Sequence, residues 1–294
     1  MPRLIEHATD AVATLDDLIH HCRSESFGPA SRDSLADVAP TLAALGNNRD
    51  FLARLALDAL KDACREQSLA NGYSPQVLML SPPDGRFFVR ANIWPSPRDA
   101  MLRDSDPAAY AYHRPHDHGF DFLTLGYAGP GYWSDYYEYD GAVAGVPGEV
   151  VTLRPTGRSR LEQGRMLLYR ANRDIHDQLP PEALSVSINV MPMTTAQMWQ
   201  RQYYFDLSAS RIERCATITA AEILLPLSVR FGGENARDLA EDFARRHADP
   251  RLRLAAWKSL EMLADTADER AVVIDRALAS DCALVRAYAQ GLPA

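Results

Sequence analysis

The sequence predicts an α+β protein in which a central block of β-strands, forming a barrel or sandwich, stands between helical N-terminal and C-terminal regions. Three observations carry this expectation. Up to about residue 70 the chain is dominated by Ala, Leu, Arg and Asp, with apolar residues at helical spacing. The middle then breaks into short apolar or alternating runs split by Gly, Pro and Asp, and from about Thr195 the helical texture returns. The three regions read as 1–72, 73–196 and 197–294.

In the first region Phe51, Leu55, Leu57 and Leu60 form an approximate helical stripe. Asn47 or Asn48 suits the N-cap, and Asp50 suits the first turn, where the helix dipole favours an acid. Asn71-Gly72 then stops the helix. From Tyr73 the runs QVLML, RFFVRANIW, FDFLTLGY, EVVTLRP, RMLLYRA and LSVSINVMP are expected as strands, and Asp84-Gly85 between the first two is a hairpin turn. In the last region the segment Asp249 to Ala256 is similar to Asp281 to Ala289. An Asp cap followed by an apolar-Arg pair and small residues resembles the start of a HEAT-type helix, with an ordinary helical bundle as the alternative.

The chain has 294 residues, 47% hydrophobic and 24% charged, as in an ordinary globular protein of one or two domains. A formal net charge of −8 argues against general nucleic-acid affinity, which needs excess Lys and Arg. No apolar run is long enough for a membrane span, and the N-terminus has no signal-peptide character. Cys22, Cys64, Cys215 and Cys282 are widely spaced, which fits reduced thiols and a cytoplasmic setting. There is no GxGxxG, P-loop, GxSxG or HExxH motif.

The chemistry concentrates at His116-Asp117-His118 and His176. Histidines at i and i+2 of a strand point the same way, so two imidazoles can reach one metal ion from the wall of a sheet. A third from a distant strand completes a facial set and leaves positions open for a small molecule. His113 falls on the other face of a regular strand. Asp174 is in phase with His176, where it orients an imidazole or stands in solvent.

The order HxH, a nearby acid and glycine, then Gly164, a strand and His176 resembles the cupin superfamily over residues from about 75 to 195. The resemblance implies a central cupin-type β-barrel with His116, His118 and His176 as metal ligands. The superfamily's usual acidic ligand would fall at Phe122 or Leu123, and Asp121 comes one residue early, so a three-histidine set is expected over one with a fourth, carboxylate ligand. The chain is also similar to the three-histidine, cysteine dioxygenase-like branch. That likeness implies a substrate-carboxylate arginine at Arg90 and a final strand carrying Ser187, Asn189 and Met191 where the branch has Ser, His and Tyr. Only the serine matches, and Leu123 stands near the place of the branch's cross-linking cysteine.

Arg114, in phase with the HxH pair, is a second candidate for the carboxylate. Tyr132 and Tyr136 are candidate acid-base groups from a Tyr-rich excursion, and otherwise pack the wall. The expected function is that of a metal-dependent oxygenase. It would use Fe(II), with Mn, Ni, Cu or Zn as other fits for imidazole ligands, and act with O2 on a small carboxylate-bearing or amino-acid substrate. The alternatives are a non-redox isomerase or lyase, and a sensing module that docks a peptide or protein partner through its C-terminal helices.

Overall fold

The structure, a computed structural model, describes residues 1–70, 76–141 and 143–291. The expected helix stop at Asn71-Gly72, and with it the 72/73 boundary, lies outside the described residues. The chain divides into two compact units, Met1–Tyr139 with Leu153–Gln200, and Asp140–Thr152 with Arg201–Ala294.

The first unit opens with a short strand, β1 (Arg3–Ile5), where the sequence predicts helix. Helices α1 (Leu15–Arg23), α2 (Arg32–Asp37), α3 (Ala39–Gly46), α4 (Phe51–Lys61) and α5 (Arg65–Ala70) follow. Asp50, rather than Asn47 or Asn48, is the N-cap of α4; Asn48 instead donates to the Ala13 carbonyl. Next come β2 (Val77–Ser81), β3 (Phe87–Trp94), the short α6 (Ala100–Arg103), β4 (Phe122–Ala128), β5 (Trp133–Glu138), β6 (Arg154–Arg160), β7 (Met166–Tyr169), β8 (Asp174–Leu179) and β9 (Ser185–Pro192). The β2–β3 hairpin turns at the expected place. Gly85 takes φ +90°, and Asp84 Oδ1 accepts from the backbone N–H groups of Arg86 and Phe87.

These strands form antiparallel sheets, one of six strands in the order β1-β7-β4-β9-β3-β2 and one of three, β6-β5-β8. Among the described residues they do not close into one continuous barrel ladder. Beside β8, residues 111–118 make only isolated bridges, because Ala111 and His113 adopt left-handed φ near +55° and interrupt the strand. The expected strand at EVVTLRP is displaced to Arg154–Arg160, and the Tyr-rich excursion is itself a strand, β5.

Alternation assigns the two faces of the six-stranded sheet different tasks. Phe87, Val89, Ala91, Leu123, Leu125, Ile188 and Val190 pack against Leu18, Leu35, Leu42 and Leu45 of the helices. The opposite face carries Phe88, Arg90, Asn92 and Trp94 of β3, with Arg90 paired to Asn189 and Asn92 to Ser187 across the strands. This face joins an aromatic cluster that includes Tyr112, Tyr132, Tyr136 and Tyr169.

The second unit begins with a hairpin, β10 (Tyr203–Asp206) and β11 (Arg211–Cys215), where continuous helix is expected. It continues with α7 (Ala220–Phe231), α8 (Gly233–Arg246), α9 (Pro250–Glu261), α10 (Ala267–Leu278) and α11 (Ala283–Ala289) around a core of Leu225, Val229, Trp257 and Leu284. Asp249 caps α9 as its sequence suggests, accepting from the N–H groups of Arg251 and Leu252. Buried Arg201 ties that cap to Glu222 of α7. No disulfide links the four cysteines. No helix of the described residues is long and apolar enough to cross a membrane.

Candidate metal centre

His116 and His176 lie directly opposite each other. Each backbone N–H donates to the other's carbonyl, at 3.2 Å and 3.0 Å, which makes them a hydrogen-bonded antiparallel pair with side chains on one face. Tyr136 of β5 is the next residue in the same row, on the other side of β8. His118 is not on a regular strand. Its carbonyl accepts from the Asn172 N–H, and its ring sits between Phe120, Phe122 and His176. The HxH pair therefore presents both rings inward from an irregular segment, not from the strand that the spacing predicts.

The three rings converge through one kind of atom. His176 Nε2 lies 3.0 Å from His116 Nε2 and 3.1 Å from His118 Nε2. His116 and His176 are only 5% and 3% exposed. Their outer nitrogens are occupied elsewhere: His116 Nδ1 donates to the Arg114 carbonyl at 2.6 Å, and His176 Nδ1 is hydrogen-bonded to the Tyr169 hydroxyl at 3.1 Å. With the proton on Nδ1, both Nε2 atoms carry lone pairs aimed at the same point. Facing lone pairs repel unless a proton or a cation stands between them. Two imidazoles at about 2.1 Å from one ion and about 90° apart have a nitrogen separation of roughly 3 Å, so each of these two distances is that of adjacent ligands on one ion. The donor set fits a divalent ion.

Burial keeps the His116 and His176 imidazoles neutral. It lowers the His116 pKa to about 4, against a weaker opposing effect of the hydrogen bond to Arg114. It lowers His176 well below its ordinary value, with the neighbouring His116 and His118 adding to the shift. Neutral imidazole is the form that ligates a metal.

The other expected site residues are placed as follows. Arg90 and Ser187 both face the aromatic side of the sheet. The Arg90 charge acts on the Tyr132 phenol, whereas the Ser187 hydroxyl accepts from Trp94 Nε1 at 3.0 Å. Tyr132 packs on Trp94 with ring centres 4.2 Å apart, and burial drives its pKa upward. Tyr136 is buried with its hydroxyl 3.3 Å from that of Tyr169. Arg114 reaches the centre through its carbonyl, as the acceptor for His116.

Asp121 accepts from Arg32 at 2.8 Å and from the Ala171 N–H at 2.7 Å, and it is not among the grouped metal-capable side chains, in keeping with the three-histidine set expected. One expectation is corrected. Asp174 orients no histidine: its carboxylate is held by the Arg170 guanidinium and backbone N–H in an ion cluster with Glu138.

Sequence reasoning missed two residues. Asp117, between the two histidines, is fully buried and accepts from the Tyr139 hydroxyl at 2.5 Å and from Asn172 Nδ2 at 3.1 Å, which anchors the irregular segment. Tyr169 links His176 to Tyr136. The only signal for Asp117 was an acid at the centre of an HxH motif, a position that alternation turns away from the metal. A cavity of about 840 Å³ lies on the helix side, lined by residues such as Phe51, Leu55 and Met79, and none of the three histidines lines it.

No family model matches the chain, and no curated protein matches it. Among solved structures it is similar to a hydroquinone 1,2-dioxygenase, PnpCD, crystallised with Cd2+ and 4-hydroxybenzonitrile. That match has 13% identity and a TM-score of 0.25, covering 44% of this chain and 71% of the other. It is also similar to the DMSP lyase DddQ from Ruegeria pomeroyi DSS-3, at 8% identity and TM-score 0.27 over 66% and 79% of the two chains. A Pseudomonas putida prolyl-4-hydroxylase matches at 13% identity and TM-score 0.23 over 64% and 99%. Likenesses this slight carry no argument about family or chemistry, so the three-histidine geometry stands on its own.

Proposed function

We propose that this chain is a mononuclear metal-dependent enzyme of cupin type, in which His116, His118 and His176 hold one divalent cation through their Nε2 atoms. The single observation that carries the reading is the convergence of three Nε2 atoms while two of the opposite nitrogens are hydrogen-bonded elsewhere, to the Arg114 carbonyl and the Tyr169 hydroxyl. Fe(II) is the preferred ion and an oxygenase reaction the preferred chemistry, on a small substrate with a carboxylate. A divalent ion there supplies positive charge and open positions and, if iron, the redox capacity for O2.

The chain's own residues supply the rest. Arg90 is the donor fork for the substrate carboxylate, placed on the inward face near Tyr132. Phe122, Tyr136, Tyr169 and Trp94 exclude water from the space they line. Tyr136 and Tyr169 form a hydroxyl pair ending on His176, a route by which a proton can be held or moved beside the substrate. The same phenols favour a second reading, a non-redox lyase or isomerase with the cation as Lewis acid, because such reactions need a proton donor or base more than an oxidant.

Metal analysis of protein purified anaerobically, followed by O2 uptake over a panel of amino acids and thiols, tests the reading. About one iron per chain and substrate-dependent O2 consumption are expected. Turnover without O2 uptake selects the lyase reading, and absence of any stoichiometric divalent metal rejects both. Arg90→Ala should raise the substrate KM at least 10-fold with metal content unchanged, since a bidentate charge pair contributes about 1.5–3 kcal/mol.

A further inference from the structure

Helix α7 of the second unit is apolar on both sides. Its sequence, AAEILLPLSVRF, contains only Glu222, Ser228 and Arg230 as polar residues. Leu225 and Val229 point into the unit's core. On the other side Ile223, Leu224, Leu227 and Phe231 stand in solvent, Phe231 at 79% exposure. At helical spacing these four fall within an arc of about 100°, so they form one stripe. Ile218, also exposed, precedes the Thr219 N-cap, where a residue packs toward the fourth helical position, Ile223, and extends the stripe. Helices hydrophobic all round belong in an interior.

The size of the stripe says how much must cover it. Five side chains of about 200 Å² each, more than half exposed, present on the order of 600–700 Å² of apolar surface, at or above the largest patch usual on a monomer. That is close to the ~800 Å² that each partner contributes to a stable interface of standard size. The pattern is also self-complementary. Ile223, Leu227 and Phe231 are spaced by four and centred on Leu227, a single ridge of the kind that interdigitates with its own copy in ridge-into-groove packing. An antiparallel pairing about Leu227 sets Ile223 against Phe231 twice and opposes the two helix dipoles. A lipid surface fits less well, because the cations beside Ile218 and Ile223 are already engaged, Arg251 by Glu222 and Lys258 by the Tyr288 ring, in a chain of net charge −8.

We propose that α7 is the interface of a two-fold homodimer, with Leu227 on the axis. The dimer is independent of the metal chemistry and stands or falls separately from it. Sedimentation velocity of the full chain over a concentration series is expected to show a dimer that dissociates on dilution. Leu227→Glu and Phe231→Glu should each raise the dissociation constant about 100-fold or more, since each buries a charge and Leu227→Glu also sets two like charges together on the axis. Both changes are at exposed positions, and far-UV circular dichroism checks the fold. As a second measurement that leaves the helix intact, Leu227→Cys should form a 227–227 disulfide under mild oxidation, identified by peptide mass, whereas Leu57→Cys, equally exposed on α4, should not. A monomer at all concentrations overturns the proposal, as does a dimer indifferent to both glutamate variants or one that never links through position 227.

Discussion

The two faces of strand β3 differ more than any two separate elements of the molecule. Phe87, Val89 and Ala91 are buried against the helices in an all-apolar layer. Phe88, Arg90, Asn92 and Trp94, interleaved with them, lie on the side of the phenol-rich cluster, whose Tyr169 is hydrogen-bonded to His176. One set can be judged by volume alone, because burial of apolar area is nondirectional. The other is held by directed bonds, such as Trp94 to Ser187 and Tyr169 to His176, where a displacement of an ångström removes the interaction. On the proposed function, stability therefore belongs to one face and chemistry to the other, and each is expected to be alterable with limited effect on its counterpart.

The sharpest way to break this separation is His176→Ala. Metal affinity should fall by more than about 100-fold, beyond the range typical of supporting residues, with a smaller shift in the urea midpoint than a core truncation produces. Metal stoichiometry and equilibrium unfolding check both halves. Leu123→Ala, on the helix side and fully buried, should cost about 2–5 kcal/mol of stability while the folded fraction keeps its metal. A folded Leu123→Ala protein that had lost its metal would show that the faces are coupled.

pH separates them further. His116 titrates at about 4 when folded and near 6.5 when exposed, so the unfolded chain binds more protons between these values. The metal-free protein should be at full stability above pH 6.5 and lose on the order of 3 kcal/mol as the pH falls toward 4. A bound cation competes with the proton, so the loss should move to lower pH in the loaded protein; urea melts at a series of pH values with and without metal measure both. Smallest is Tyr169→Phe, which removes the hydrogen-bond partner of His176 Nδ1 and keeps the ring; metal affinity should drop about 10-fold with stability nearly unchanged.

The legibility of the strands followed the same division. β2, β3, β4, β7 and β9 were readable because each presents apolar side chains to the helices. β5 and β6, with sequences WSDYYE and RPTGRSR, were not, since the three-stranded sheet gives them much less to bury. Arg3–Ile5 and the β10–β11 hairpin were misread as helix. Runs of three to five residues carry too little periodicity to outweigh helical surroundings. At the site, the histidines were recognisable by spacing. Asp117 and Tyr169 were not, because their roles depend on partners 22 and 7 residues away that only the folded chain brings near.

By itself the sequence determined which residues alternate, where the β2–β3 hairpin turns, and that three imidazoles were candidates to act together. Only the tertiary structure decided that they meet, that Asp121 and Asp174 serve ion pairs instead, and that residues 111–118 interrupt the strand. The physical reason is separation along the chain. His176 stands 60 and 58 positions from its two partners, so their approach depends on the register in which distant strands pair. Local propensity does not encode that register; burial of both sheet faces at once does.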